Sequence, residues 1–232
     1  MLGAATGSPR TADETEMAVF WADGAGTETP PGHWSRIAAE AAEARGLSLC
    51  ETARLLALVN IASADAGIVA WDAKYAYDLW RPITAIREAD TDGNPGTVAD
   101  PSWTPLLPSP PFPEYVSGHS TFSGAATQVL ARFLGDATSF TTTSDGLPGV
   151  TRSFTSFSQA ADEGGMSRLC GGIHFTSANV DGLAAGRAVG DYVVDEYLRP
   201  VPEPAGLALL GVGALLALCT LRRARAGRRG RR

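Results

Sequence analysis

A periodic stretch between residues 48 and 79 constrains the fold of this chain more than any other sequence feature. Ser48 and Glu51 form a capping box, which is typical of a helix N-terminus. Apolar residues follow at three- or four-residue steps, at Leu55, Leu58, Ala62, Ala66 and Val69. We expect this helix to reach about Leu79 and to end before Pro82, because a proline disfavours helical backbone in the residue before it.

The rest of the chain also predicts helices joined by loops. An Ala- and Glu-rich run at residues 35–45, a run from about His119 to Leu134, and an amphipathic run at about 177–198 each read as a helix. Residues 101–113 contain six prolines and predict an extended loop, and the Ser/Thr-rich span 138–158 predicts a surface loop. No alternating strand pattern of any length is visible, so the chain is expected to be all-α.

Composition excludes several classes of partner and site. The apolar fraction is 44% and the charged fraction 19%, which favours a globular chain. The net charge is −6 although seven of the 19 cationic residues lie in the last eleven positions, so the preceding body is strongly acidic and nucleic acid is not an expected partner. Cys50, Cys170 and Cys219 form no paired spacing, which argues against a zinc site and a disulfide framework.

The C-terminal tail differs from the body. Residues 205–221 carry no charge over 17 positions, they follow Pro202-Glu-Pro204, and the arginine cluster comes directly after them. This length is short for a membrane span but sufficient, and the positive-inside rule would leave the arginines in the cytoplasm. A buried core helix is the alternative interpretation.

The order Pro-Glu-Pro, apolar helix, arginine cluster resembles the PEP-CTERM sorting signal of Gram-negative bacteria. That resemblance implies export and anchoring in the inner membrane through residues 205–221, with the body in the periplasm. It also implies processing by an exosortase-type enzyme, followed by release to the cell surface or the extracellular space.

Three short segments carry charged residues in a pattern that suits an anion. Lys74, the chain's only lysine, and Arg81 are seven residues apart, so on one helix they would face the same side. Ser117-Gly118-His119 opens a predicted helix, where free amides and the helix dipole favour an anion and glycine permits close approach. Arg168 adds a planar fork of donors, and His174 follows it in the third segment.

Each of these residues has an ordinary alternative. A lone lysine or arginine usually lies on a solvated face, a lone histidine is more often structural, and Ser-Gly-His at a helix start is most often only a cap. The three segments together, within about a hundred residues, predict a site for a tetrahedral oxyanion.

The combined pattern K-x6-RP, SGH and SR-x5-H resembles the superfamily of type 2 phosphatidic acid phosphatases (PAP2) and vanadium haloperoxidases. The resemblance implies an all-α helical bundle with the site in its core, here N-terminally truncated. It also implies roles for seven residues: oxyanion binding by Lys74, Arg81, Ser117, Gly118 and Arg168, acid–base catalysis by His119, and coordination of vanadium, or attack on phosphorus, by His174. In the haloperoxidase interpretation Lys74 would also be catalytic, since it would polarise the peroxide by hydrogen bonding. The implied domains are 1–34, a segment of a longer bundle; 35–198, the catalytic domain; and 199–232, the sorting and anchor segment.

Two aromatic residues lean toward the haloperoxidase branch. Trp71 and Phe112 stand where the resemblance implies the lining of the halide side, although core packing is the alternative. Two positions depart from the superfamily. Val116 replaces the usual proline before Ser-Gly-His, and Ala178 stands where many members have an aspartate that orients the last histidine. Another acid could substitute for that aspartate.

The resulting hypothesis is a vanadium-dependent haloperoxidase that oxidises halide with hydrogen peroxide at a His-ligated vanadate. Its cofactor would be vanadate, and no haem is expected. The alternative is a phosphatase that hydrolyses a small phosphate ester through a phosphohistidine. A second alternative is a non-catalytic surface protein that is displayed through its sorting tail.

Overall fold

The structure, a computed structural model, describes residues 1–199 and 210–218. Most of these residues are helical. The elements in chain order are α1 (Ala12–Phe20), α2 (Thr29–Ala44), α3 (Leu49–Tyr77), α4 (Pro82–Arg87), α5 (Gly118–Leu134), β1 (Phe140–Thr143), β2 (Thr151–Phe154), α6 (Phe157–Cys170) and α7 (Thr176–Glu196). Residues Met1–Leu198 form one compact unit and Arg199–Arg232 a second. The predicted helical fold is confirmed, with one short hairpin added to it.

The long helix predicted from the periodic stretch is α3. Ser48 caps it, and both hydrogen bonds of the capping box with Glu51 are present. The helix ends at Tyr77 because Asp78 adopts a left-handed conformation with φ of 47°. The expectation that Lys74 and Arg81 face one side of a single helix is therefore wrong. Arg81 lies beyond the turn, as the N-cap of α4, and the turn rather than the helical period brings it to the site.

Helix α5 lies at the centre of the bundle and packs against α2, α3, α6 and α7. Its contact with α7 is very close because α7 turns three glycines toward α5. These glycines, Gly182, Gly186 and Gly190, lie against the backbone carbonyls of Ser117, Thr121 and Ala125 respectively. The close approach fixes the start of α5 beside the start of α7, where the Ser117 amide donates to the Ala178 carbonyl at 3.0 Å.

The predicted surface loop at 138–158 is wrong in part, because it contains a hairpin. Strands β1 and β2 pair antiparallel, with Phe140 opposite Phe154. The Phe140 ring lies 5.4 Å from the Phe154 ring and 5.3 Å from the ring of Phe157, which begins α6. Four-residue strands are too short to show a clear alternation, while their threonines and phenylalanines fit a half-buried pleated surface.

Four helices also differ from expectation. Helix α1 was not predicted although Thr11 and Glu14 form a complete capping box. Helix α2 begins at Thr29, ahead of the expected 35, so the predicted domain boundary at 34/35 falls inside a helix. Pro82 opens α4 instead of only ending α3, because proline suits the first helical position. Helix α6 was missed because it is rich in small and polar residues and shows no apolar period.

The N-terminal segment contributes to the core of the body. Trp21 and Trp34 are almost fully buried, and their rings stack with centroids 5.4 Å apart. Trp21 also stacks on His33, at 4.9 Å, and its indole nitrogen donates to Glu163 of α6 at 2.9 Å. Residues before α2 therefore help to fix α6, which carries one of the predicted site residues.

One stretch of the body and part of the tail bear on membrane spans. Within the described residues one stretch, Leu49–Arg87, which contains α3 and α4, is long and apolar enough to cross a membrane, and 39% of its most apolar part is buried. A core helix of a bundle passes the same test, and α3 is packed in this way. Residues 210–218 of the predicted span 205–221 are helical, and the rest of that span lies outside the described residues.

Candidate active site

The three sequence segments converge at the ends of four helices. Lys74 lies in the last turn of α3, Arg81 caps α4, Ser117 caps α5, and Arg168 lies in the last turn of α6. His174 lies in the short connection between α6 and α7. All five side chains are buried, and Lys74 and Ser117 have no exposed surface. The structure thus brings the predicted oxyanion-binding residues into the interior of the bundle.

Three buried cations share this interior. Burial lowers the pKa of Lys74 to about 7, and repulsion from Arg81 adds to the effect. Burial likewise lowers the pKa of Arg81 and of Arg168 to about 10 each. The buried carboxylates of the described residues are Glu114 and Asp23, and Asp23 is paired with His33 at 3.2 Å. The cluster therefore has an excess of positive charge.

Lys74 is held by the loop that leads into α5. Its ammonium donates to the carbonyls of Pro113, Glu114 and Val116 at 3.2, 3.0 and 2.5 Å. Three donors thus meet three carbonyls of consecutive or nearly consecutive residues. A compact ammonium suits this arrangement better than a planar guanidinium. The chain's only lysine therefore fixes the backbone immediately before Ser117.

His174 is oriented by a carboxylate. Its Nδ1 donates to Glu114 Oε1 at 2.8 Å, and the Phe175 amide donates to the same oxygen at 2.9 Å. Arg81 Nη1 lies 3.0 Å from Nε2 of the same ring. Because arginine can only donate, Nε2 must carry the lone pair and Nδ1 the proton. Burial, followed by repulsion from Arg81, lowers the pKa of His174 well below its usual value, which favours this neutral tautomer.

Glu114 is a functional residue that the sequence did not single out. It supplies the orienting acid that Ala178 lacks, and it comes from the opposite side of the motif, three residues before Ser117. Burial raises the pKa of Glu114, while the Phe175 amide and the neighbouring cations act against that rise. The signal was present, since Glu114 belongs to the proline-rich segment that carries Ser-Gly-His. Only the fold shows that it reaches His174.

His119 is oriented by the N-terminal segment. Its Nε2 lies 3.1 Å from the carbonyl of Ala22, so Nε2 carries the proton and Nδ1 the lone pair. Arg168 Nη2 similarly donates to the carbonyl of Ala18 at 3.1 Å. Burial, followed by repulsion from Arg168, lowers the pKa of His119 well below its usual value. The sequence signal for this contact is the apolar run at residues 17–21.

The two predicted halide-side aromatics lie together at the edge of the cluster. The rings of Trp71 and Phe112 are 5.2 Å apart, and Lys74 Nζ lies within 6 Å of both ring centroids. A Cβ at Gly118 would lie 3.2 Å from the Trp71 ring, so the indole covers the start of α5. Trp71 is 37% exposed, so this edge reaches the surface.

The site fits a tetrahedral oxyanion. Arg81 Nη2 is buried and has no hydrogen-bond partner, which is costly unless a ligand accepts from it. The excess of buried positive charge and the free amides at the start of α5 favour the same kind of ligand. Among the described residues no group of histidine, cysteine and acidic side chains could hold a metal ion by itself. An oxyanion anchored by His174 Nε2 would satisfy both the orphaned donor and the charge.

Fold and site together define a class: helical bundles that hold an oxyanion in a buried cluster of cations between two histidines. Residues 54–202 match the family model described as the VCPO second helical-bundle domain. The chain therefore belongs to the vanadium haloperoxidase family, within the superfamily that also contains the PAP2 phosphatases.

Known relatives agree with this assignment. Over 141 residues the chain is 37% identical to vanadium chloroperoxidase of Curvularia inaequalis. This match covers 52% of this chain and 22% of that protein. The crystal structure of the first bacterial vanadium-dependent iodoperoxidase matches with a TM-score of 0.70 and 41% identity, over 79% of this chain and 44% of that one. A holo-type bacterial vanadium-dependent chloroperoxidase, 22% identical, shares the fold with a TM-score of 0.62 over 81% of this chain and 44% of that one. The chain thus spans less than half the length of these relatives.

Proposed function

We propose that this chain binds vanadate and oxidises halide with hydrogen peroxide. One observation carries the proposal: the buried Arg81 guanidinium has an unpartnered Nη2 beside the Nε2 lone pair of a neutral His174, and a bound vanadium would take over that lone pair from Arg81 Nη1. The relatives are vanadium chloroperoxidase and vanadium iodoperoxidase by name, which supports an enzyme of this family. Arg81, Arg168, Ser117 and the Gly118 amide would hold the oxygens of vanadate, and His174 Nε2 would bind the metal.

Each protein group then has a defined task. Vanadate, when bound, supplies a Lewis acid that activates hydrogen peroxide toward halide. The cations neutralise the charge of the oxyanion in the interior of the bundle, where electrostatic interactions are stronger than in water. His119 is neutral and has a free Nδ1 lone pair, because its Nε2 proton is held by the Ala22 carbonyl. It can therefore accept a proton from the incoming peroxide. Trp71 and Phe112 would line the approach of the halide.

The test combines binding with activity. Purified protein is titrated with orthovanadate by calorimetry and then assayed for iodide and bromide oxidation with hydrogen peroxide. We expect one vanadate per chain and halide oxidation that depends on it. His174→Ala should abolish both, with its folding checked by circular dichroism. Tight vanadate binding by the folded variant would contradict the role of His174, and a wild type that binds no vanadate would contradict the proposal itself.

A phosphatase is the second candidate, and Glu114 favours it. A histidine nucleophile needs an acid that fixes its tautomer and stabilises the charge that develops on attack, and Glu114 is placed for this task. His174 would attack phosphorus in a small phosphate ester, and His119, after taking up a proton at Nδ1, would give that proton to the leaving group. The same cations would stabilise the transition state.

Glu114→Gln separates the two chemistries. Glutamine keeps an oxygen that accepts from His174 Nδ1 but removes the negative charge that would stabilise a phosphohistidine. If the chain is a phosphatase, ester hydrolysis should fall by on the order of a hundredfold, as for other lost electrostatic groups, while vanadate affinity stays within tenfold. A folded wild type that binds the anion but catalyses neither halide oxidation nor ester hydrolysis would favour the third possibility, a non-catalytic surface protein.

For the tail we propose export and sorting. The Pro-Glu-Pro sequence, the uncharged run 205–221 and the arginine cluster support anchoring in the inner membrane and recognition by an exosortase-type enzyme. The body would face the periplasm and then reach the cell surface or the medium. The measurement is the fractionation of the full chain expressed in a bacterium with and without an exosortase. Full-length chain found only in the cytosol of both strains would refute this proposal.

A further inference from the structure

Three polar side chains form a continuous chain behind the oxyanion-binding hydroxyl. Ser120 Oγ lies 2.8 Å from Ser117 Oγ and 2.8 Å from Asn179 Oδ1. Ser117 and Ser120 have no exposed surface, and Asn179 is 5% exposed. Because the three groups are shielded from bulk water, their protons are shared within the chain or given to a ligand.

The number of protons restricts what this chain can do. A hydroxyl donates only one hydrogen bond, so Ser120 donates either to Asn179 or to Ser117. If Ser120 donates to the oxygen of Asn179, the contact between the two serines needs the Ser117 proton. Ser117 then has no proton for an anion. If Asn179 instead presents its NH₂ group, Ser120 accepts from it and donates to Ser117, whose own proton is then free to meet an anion.

We propose that Asn179 is a positioning residue that sets, through Ser120, the direction of the Ser117 hydroxyl proton. The inference rests on the proposed oxyanion site. An amide suits the task because its two ends are similar in shape, while one end accepts and the other donates. Rotation of the amide by half a turn therefore reverses the whole chain of hydrogen bonds without moving the backbone.

The surroundings hold the amide in contact with Ser120. Gly165 of α6 lies so close that a Cβ there would be 2.1 Å from Asn179 Oδ1, so the amide occupies space left by a missing side chain. On the other side the Ser117 amide donates to the carbonyl of Ala178, the residue before Asn179, at 3.0 Å. The starts of α5 and α7 are thus joined by both a backbone bond and the polar chain.

Asn179→Asp gives the inference a direct test. An ionised carboxylate only accepts, so Ser120 must donate to it. Donation from Ser117 to an anion would then leave two oxygen lone pairs facing each other at the 2.8 Å contact. We expect the dissociation constants of orthovanadate and of inorganic phosphate to rise at least about tenfold, the effect of one lost buried hydrogen bond.

The added negative charge would also weaken anion binding by repulsion. This effect has to be separated from that of the relay, the chain of hydrogen bonds from Asn179 through Ser120 to Ser117. Ser120→Ala does this, since it removes the relay but keeps the backbone amide that donates to Ser117 Oγ. We expect Ser120→Ala to bind both anions within about threefold of the wild type. The double variant, which combines Ser120→Ala with Asn179→Asp, should bind both anions at least about tenfold more tightly than Asn179→Asp alone.

The affinities are measured by calorimetry on the full chain, with a melting temperature for every variant. The inference is overturned if Asn179→Asp lowers anion affinity by the same factor in the wild type and in Ser120→Ala. It is also overturned if Asn179→Asp does not lower anion affinity at all. Asn179→Leu provides a second criterion if the aspartate variant does not fold. Leucine leaves Ser120 free to donate to Ser117, so affinity should stay within about threefold, and a tenfold loss overturns the inference. A wild type that binds neither anion refutes the proposed function itself, whereas binding without coupling refutes only the relay.

Discussion

Lys74 is a buried cation whose charge changes near neutral pH. Its pKa is about 7 because the ammonium is buried and faces Arg81. An oxyanion binds better to the protonated site, so anion binding must raise the pKa of Lys74. The affinity of the site for an oxyanion is therefore highest below pH 7. It falls as the pH rises through 7, by up to about tenfold per pH unit.

Sulfate is the suitable probe for this prediction, because it keeps its charge between pH 5 and 9 while phosphate does not. We expect the dissociation constant of sulfate to be flat below about pH 6.5 and to rise above pH 7. Lys74→Met, a variant of similar length without charge, should bind more weakly and lose the pH dependence. A pH dependence that persists in Lys74→Met would assign the titration to another group.

At the scale of elements, the approach of α7 to α5 determines where the site can form. A Cβ at Gly186 would lie 2.2 Å from the Thr121 carbonyl oxygen, so Gly186→Ala must separate the two helices. We expect it to lower the free energy of unfolding by about 3 kcal/mol, the upper range for overpacking a core. It should also weaken oxyanion binding, because the separation pulls the Ala178 carbonyl of α7 away from the Ser117 amide that it holds at the start of α5.

Gly67→Ala is the matched control in α3. A Cβ there would meet only the edge of Phe122, at 3.4 Å, which is ordinary contact. Because alanine favours helical backbone over glycine by roughly 0.5 to 1 kcal/mol, this variant should be as stable as the wild type or slightly more stable. Urea unfolding of both variants checks the prediction. Equal stability of the two variants would mean that the bundle accommodates a wider spacing at α7.

The sequence predicted elements with strong local signals and missed those that depend on tertiary contacts. Helix α3 was predicted from its capping box and apolar period, and α5 and α7 from their periods. Helix α6 has no such period, because its small residues pack against Trp21 and Asn179 instead of forming an apolar stripe. The motif residues of the site were predicted by resemblance. Glu114 was not, since no local pattern shows that it meets a histidine 60 positions later.

At the scale of the whole molecule, the body should be independent of the tail. Residues Met1–Leu198 form a compact unit by themselves. We therefore expect a chain that ends at residue 201 to keep the melting temperature and the vanadate affinity of the full chain. If the predicted span 205–221 belonged instead to the core, its loss would expose apolar surface and lower the melting temperature by many degrees. Scanning calorimetry of both chains, with the full chain in detergent, distinguishes the two outcomes.

The positions of the tryptophans give the molecule two separate optical reporters. Trp21 and Trp34 are stacked in the interior, so their exciton coupling in near-ultraviolet circular dichroism reports the packing of α1 and α2. Trp71 lies at the edge of the cation cluster with the Lys74 ammonium 5.8 Å from its ring, so its emission senses the local field. Ligand binding is therefore expected to change the Trp71 part of the emission, on top of the emission of the other four tryptophans, while circular dichroism of the same sample follows folding.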